Sequence, residues 1–302
     1  MINKSTRKDI FDLIKTYESE SRIALSKRFP FLIKPIVFVR RGFTKLKNFL
    51  NPKIKNKKSN EYLKSVVARH QSVLRRKLGD SNPRLQEQKI INLKQAVDKL
   101  DGLIIESNKI FSFWQTIGII HEKKGYVEGM LLSGGKVKEG LGGGLCQLSN
   151  FLYWIFLHSP VKIIEHYHHS MDVFPDSGRV LPFGSGATIL CNYIDLKVLN
   201  ISKQPLQIKI WLTDKHLKGQ IRSTKPFKTK YHIIEKNHCF IKRGKKYFRY
   251  NEIYRQAKVR GKIIREEKIT TNFAPVMYKV TDEYLKKNKF EVLDFTGKKN
   301  IK

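Results

Sequence analysis

Gly142-Gly143-Gly144-Leu145-Cys146-Gln147-Leu148-Ser149 is the stretch from which the rest of the chain is best read. Three glycines lead into a segment where Leu148, Phe151, Leu152 and Ile155 recur at three- and four-residue steps, which predicts a helix from Cys146 to Leu157, stopped by Ser159-Pro160. Cys146 then falls in the first turn. A helix N-terminus carries partial positive charge and unpaired backbone N–H groups, so a thiol there is expected to have a lowered pKa and to serve as a nucleophile. Glycines such as Gly143 and Gly144 would let a substrate approach the backbone, with nearby N–H groups forming an oxyanion hole.

Upstream, Ile10, Leu13, Ile14 and Tyr17 predict a helix over 6–28, and Ile90, Leu93, Val97 and Leu100 another over 89–100. Residues 60–78 also read as helical, with Leu63, Val66, Val67 and Leu74 on one side. Between them, Phe43, Leu46, Phe49 and Leu50 alternate with Lys45 and Lys47 in a short basic amphipathic helix. Such a helix can lie on a membrane surface or pack on the body by its apolar stripe. The charged, turn-rich stretch 51–59 divides a basic helical N-terminal extension, 1–59, from a main domain, 60–302.

Downstream the texture is β-rich. Strands are expected at 102–105, 161–164, 187–199, 206–211, 219–222, 231–234, 240–241 and 246–250. The fold class is therefore α+β: a helical N-terminal region followed by a glycine-rich mixed α/β core with a mostly antiparallel sheet.

The 302 residues are 40% hydrophobic, enough for a core, and carry 60 Lys and Arg against 26 Asp and Glu, a net charge of +34. Such a surface attracts polyanions, whether nucleic acid, acidic headgroups or wall polymers, although a Lys-, Ile- and Asn-rich composition accounts for part of it. No helix-turn-helix, zinc finger or RNP-like run is present, which places nucleic acid last among the partners. Three cysteines, Cys146, Cys191 and Cys239, form no disulfide framework and no Cys-x-x-Cys pair. Cys191 and Cys239 read as small hydrophobes. Residues 1–30 lack an uninterrupted apolar run, and Lys34 and Pro35 interrupt the apolar stretch 31–39, so neither a secretory signal nor a membrane span is expected. These features predict a cytoplasmic chain or one peripheral at the inner membrane face. Nothing fixes an oligomeric state.

A cysteine nucleophile needs a base, and Glu165-His166-Tyr167-His168-His169-Ser170-Met171-Asp172 offers three imidazoles. In an extended segment His166 and His168 point one way and His169 the other. The cluster is read as holding one general base, with Asp172 or Asp195 as its orienting carboxylate. Metal binding by neighbouring imidazoles is open but lacks an evident third ligand, and a solvated loop is the plain alternative; no metal or cofactor is expected. Arg179, before Leu181-Pro182-Phe183-Gly184-Ser185-Gly186-Ala187-Thr188, can grip a carboxylate in bidentate fashion.

Taken together the motifs resemble the VanW family. The matching residues are Phe111-Ser112-Phe113-Trp114 with Gly118, Gly125-Tyr126, Gly142 to Ser149, His169-Ser170, Arg179, Leu181 to Thr188, and Tyr193-Ile194-Asp195-Leu196, across about 60–260. The resemblance implies a cell-envelope protein associated with glycopeptide resistance, and a cysteine acyl-transferase of the L,D-transpeptidase kind acting on peptidoglycan or its precursors. It implies His169 as the base for Cys146. It adds Gln147, Ser170 and Ser185 to Gly143, Gly144 and Arg179 as substrate-binding positions. An anionic membrane surface is a second expected partner, and a non-catalytic envelope-binding module is the alternative function.

Overall fold

The computed structural model describes residues 2–20, 31, 33–54, 56–75, 83–133, 136–173, 175–176, 180–191 and 193–297. Its centre is α5, Leu145–Leu157, a helix apolar on nearly every face and buried at Leu148, Phe151, Leu152, Ile155 and Phe156. A helix without a polar side must be surrounded. Helix α3, Pro83–Leu100, supplies Leu93, Val97 and Leu100 to the same core. An antiparallel five-stranded sheet supplies Ile208, Ile210, Leu217 and Ile221. Its spatial order is β1 (Lys57–Lys58), β3 (Leu103–Ile105), β9 (Leu206–Leu212), β10 (His216–Ser223) and β2 (Ser65–Val73). A three-stranded sheet of β4 (Ile110–Ser112), β8 (Lys197–Asn200) and β7 (Val161–Glu165) adds Phe111, Val161 and Val198. The hairpin of β5 (Glu128–Ser133) and β6 (Lys136–Leu141) leads into the glycines.

A second sheet holds β13 (Lys262–Pro275), β12 (Lys246–Val259), β11 (Thr229–Arg243) and β14 (Glu291–Asp294), antiparallel except for the β11–β14 pair. Helix α1, Lys4–Glu20, buries Ile10, Phe11 and Ile14 against its Cys239, Ile241, Phe248 and Tyr250, a smaller core of its own. The α+β class holds.

Several expectations change. Residues 65–73 form β2, not a helix; Val66 and Val73 lie on its outer side, so the apolar positions never belonged to one helical stripe. The 51–59 segment is not loose throughout, because Lys57 and Lys58 pair with Ile104 and Leu103. Among the described residues of 187–199 only 197–199 enter a strand. The expected helix over 6–28 is seen to Glu20, and its remainder lies outside the described residues.

The basic amphipathic segment is α2, Ile33–Leu50. It meets the body through Val37, Thr44 and Asn48, which share one face at steps of seven and four. Its larger apolar stripe does not pack on the body: Phe43 is 67% exposed and Val39 68%. No helix among the described residues is long and apolar enough to cross a membrane.

Candidate functional site

Helix α5 begins at Gly144, whose φ of +95° is a left-handed conformation that favours glycine, with no side chain capping the helix. Cys146 is in the first turn, and at steps of three and four it shares a face with Ser149 and Asn150. That face grips a loop. Asn150 Oδ1 accepts a hydrogen bond from the Ala187 N–H at 2.6 Å, and Ser149 Oγ donates to the Ala187 carbonyl at 2.6 Å. The Ile189 backbone, two residues on, is near enough to the Cys146 thiol to act on it.

The histidine segment bonds to the same loop. His166 Nε2 lies 2.8 Å from the Gly186 carbonyl, and its ring stacks on Tyr153 at 3.9 Å and 5°. The Thr188 N–H donates to the Tyr167 carbonyl at 2.7 Å, and Thr188 Oγ1 is 3.0 Å from His169 Nδ1. A Cβ on Gly186 would press on Asn150 Oδ1 at 2.9 Å and on His169 Cδ2 at 3.1 Å. Loop 186–189 thus bonds both to α5, at Ala187, and to the histidine segment, at Gly186 and Thr188.

Other expected roles meet different arrangements. Burial pushes the Cys146 thiol up rather than down, outweighing the help from backbone hydrogen bonds. The glycines serve the chain's own packing. A Cβ on Gly143 would lie 2.0 Å from the Gly129 carbonyl carbon, and one on Gly144 would lie 2.1 Å from Lys89 Cγ. The N–H groups of Gly142 and Gly143 already donate to the Val127 and Gly140 carbonyls, so they build no oxyanion hole. Gln147 ties α5 to β2 through Ser72 Oγ and the Val73 carbonyl. Ser185 is buried and donates to the Pro182 carbonyl. Ser170 is exposed, and Arg179 lies outside the described residues.

Neither proposed orienting carboxylate is free for that task. Asp172, 3% exposed, accepts from Tyr278 OH at 2.9 Å and pairs with Arg249 at 3.3 Å. Asp195 accepts from Ser112 Oγ at 2.6 Å and from the Trp114 N–H at 3.1 Å, holding the start of α4, Phe113–Ile117. Burial raises its carboxyl to about 6, against hydrogen bonds that lower it. The partner seen on His169 Nδ1 is the Thr188 hydroxyl, a role the sequence reading missed. The signal was the small, polar Gly186-Ala187-Thr188 run, whose backbone contacts only the fold reveals. Asn150 and Ser149 were equally unmarked. Cys191 is half-buried, Cys239 is buried, and burial pushes both thiols up. Among the described residues no group of three or more His, Cys, Asp or Glu side chains could hold a metal ion.

Residues 88–222 match the family model described as VanW like protein. The chain is 33% identical over 195 residues to the vancomycin B-type resistance protein VanW of Enterococcus faecalis strain ATCC 700802 / V583, covering 64% of this chain and 71% of that protein. The chain belongs to the VanW family. An uncharacterized Bacillus subtilis strain 168 protein, YoaR, is 29% identical over 118 residues, covering 39% of this chain and 37% of its own length. No solved structure matches the chain. The family match spans α5, the histidine segment and loop 186–189, so the contacts described above lie inside the VanW region.

The histidines also set a pH limit. Burial pushes His166 and His70 down from 6.5 to about 4, and lowers His158 and His168. Folded imidazoles stay neutral where unfolded ones already bind protons, so the stability they contribute is complete above pH 6.5 and is lost between 6.5 and about 4. The expected slope reaches about 1.4 kcal/mol per pH unit for His166 and less for the more solvated His70. Urea midpoints across this range check it; a midpoint that does not move would refute it.

Proposed function

We infer that this VanW-family chain acts at the cell envelope as a cysteine acyl-transferase on peptides of the peptidoglycan kind, with Cys146 as nucleophile and His169 as base. The observation that carries the reading is the shared loop: the helix turn that bears Cys146 bonds to it at Ala187, and His169 bonds to it at Thr188. For His169 Nε2 to accept a proton, Nδ1 must carry one and donate it to Thr188 Oγ1. The thiol is neutral at rest, so its proton passes to the imidazole as sulfur bonds to the acyl carbon. The amide C–N bond then breaks, and the imidazolium returns the proton to the departing amine. A second amine attacks the thioester and loses a proton to the imidazole; the C–S bond breaks, and the imidazolium returns that proton to the sulfur, restoring the thiol. The first-turn N–H groups of Leu145 and Cys146, which have no intrahelical acceptor, suit the developing oxyanion. The excess of cations favours anionic wall material.

The raised thiol and the filled glycine backbone favour a second reading, a non-catalytic envelope-binding module. The two separate in one experiment. The full chain is incubated with a peptidoglycan stem tetrapeptide and examined by intact-protein mass spectrometry. Acyl transfer gives a hydroxylamine-sensitive adduct on Cys146, absent from a folded Cys146→Ala variant. Binding of the peptide without any adduct, equal in wild type and Cys146→Ala, supports the module instead.

A further inference from the structure

We propose that α2 is a surface-lying helix that sets Ile36, Val39, Phe43, Leu46 and Leu50 into a bilayer carrying anionic headgroups. At 100° per residue these five fall within an arc of about 80°. The least exposed of them, Leu46, is 55% exposed, in a helix whose opposite face is seated on the protein. Pro35, Ile36, Val39, Arg40 and Phe43 line a surface groove of about 510 Å³.

Charge identifies what covers this stripe. Among the 18 residues of α2 there is no Asp or Glu, while Arg40, Arg41, Lys45 and Lys47 are exposed. Lys47 and Arg40 border one edge of the stripe, and Phe49 and Phe38 border the other. An apolar face rimmed by cations and aromatic rings matches the boundary between acyl chains and acidic headgroups, and the net charge of +34 draws the whole chain toward such a surface.

The helix is also joined to the candidate site. The Arg40 guanidinium lies 4.8 Å over the Tyr193 ring and donates to its hydroxyl at 3.3 Å. Arg41 and Lys45 are near enough to Cys191 to act on its thiol. These positions follow loop 186–189 in the chain, so α2 is anchored to the segment next to the candidate site. The inference does not depend on acyl transfer.

The test is co-sedimentation of the full chain with vesicles of phosphatidylcholine, alone or mixed with phosphatidylglycerol, at low and high salt. Partitioning is expected to be at least about tenfold stronger onto the mixed vesicles. Phe43→Ser/Leu46→Ser leaves the net charge unchanged and is expected to lose about tenfold or more of that partitioning. Independently, a Phe43→Trp variant should shift its emission to shorter wavelength on mixed vesicles. Equal sedimentation of wild type and the double-serine variant overturns the proposal, because general charge then accounts for binding. Emission from the Phe43→Trp variant that stays unshifted also overturns it. So does self-association of the wild type that the double-serine variant abolishes, which would assign the stripe to a second copy.

Discussion

Arg249→Ala is expected to lower the unfolding free energy by about 3–5 kcal/mol, read from urea or thermal unfolding. Arg249 is 1% exposed in the second sheet and donates to Asp176 at 2.9 and 2.5 Å and to Asp172 at 3.3 Å. Its guanidinium lies 4.8 Å from the Phe183 ring, 5.3 Å from Phe240 and 5.4 Å from Phe290, and Nε donates to His238 at 2.9 Å. A buried guanidinium persists because each face of it is engaged. Alanine strips the two carboxylates of their cation and leaves a void among three rings. Arg249→Met keeps much of the volume, so combining it with Asp172→Asn and Asp176→Asn should recover part of the loss. No recovery would mean that the hydrogen bonds of the guanidinium itself, rather than the void or the unpaired carboxylates, are the larger contribution. The consequence reaches the candidate site, because Asp172 follows His169 closely. Its backbone bonds to Pro275 and Met277, and the ion pair pins the same residue to the second sheet.

The legible parts of the sequence were those where apolar residues recur at helical steps. Helix α5 fell where periodicity put it, and α3 did over 89–100 but begins at Pro83, in turns whose buried Gln86 breaks the apolar pattern. The second sheet was read only as fragments. Its strand β12 buries Arg249, Asn251, Glu252, Arg255 and Gln256, so polar residues stand where an alternating pattern needs apolar ones. Those residues pair with one another or with neighbouring strands; Asn272, for example, donates to Asn251 Oδ1 at 2.7 Å. Satisfied buried polar groups are invisible to hydropathy. At the site, the motif residues Cys146, His169 and the Gly184–Thr188 loop do come together, but their roles were only partly legible. Glycine spacing cannot tell a backbone opened to a ligand from one pressed on another backbone, and Gly143 against Gly129 is the second kind. Asp172 or Asp195 was expected to orient the base, whereas Arg249 and Tyr278 claim the first and Ser112 and Trp114 the second. For α2, sequence left both faces available, and the fold decided that the small face Val37, Thr44 and Asn48 docks.

The largest kinetic effects are expected at Cys146 and His169. Cys146→Ala should reduce thioester formation to background, a loss of at least about 10⁴-fold where covalent catalysis carries the rate. His169→Gln should lower kcat about 10²- to 10⁴-fold with little change in KM, since a base acts in the transition state rather than in binding. The pH profile separates this from a structural role. Burial holds the Cys146 thiol above its ordinary value, so without a base only the small thiolate fraction reacts. The residual rate of His169→Gln should therefore climb with pH through the neutral and alkaline range, more steeply than the wild-type rate. Thr188→Val removes the hydroxyl on His169 Nδ1 and acts through positioning, so it should cost about tenfold in kcat, with Thr188→Ser restoring activity. If His169→Gln keeps the wild-type rate and profile while Cys146→Ala is dead, the sulfur is the nucleophile but another group takes its proton. If Cys146→Ala retains the wild-type rate, the sulfur takes no part, and the shared loop is an element of packing alone.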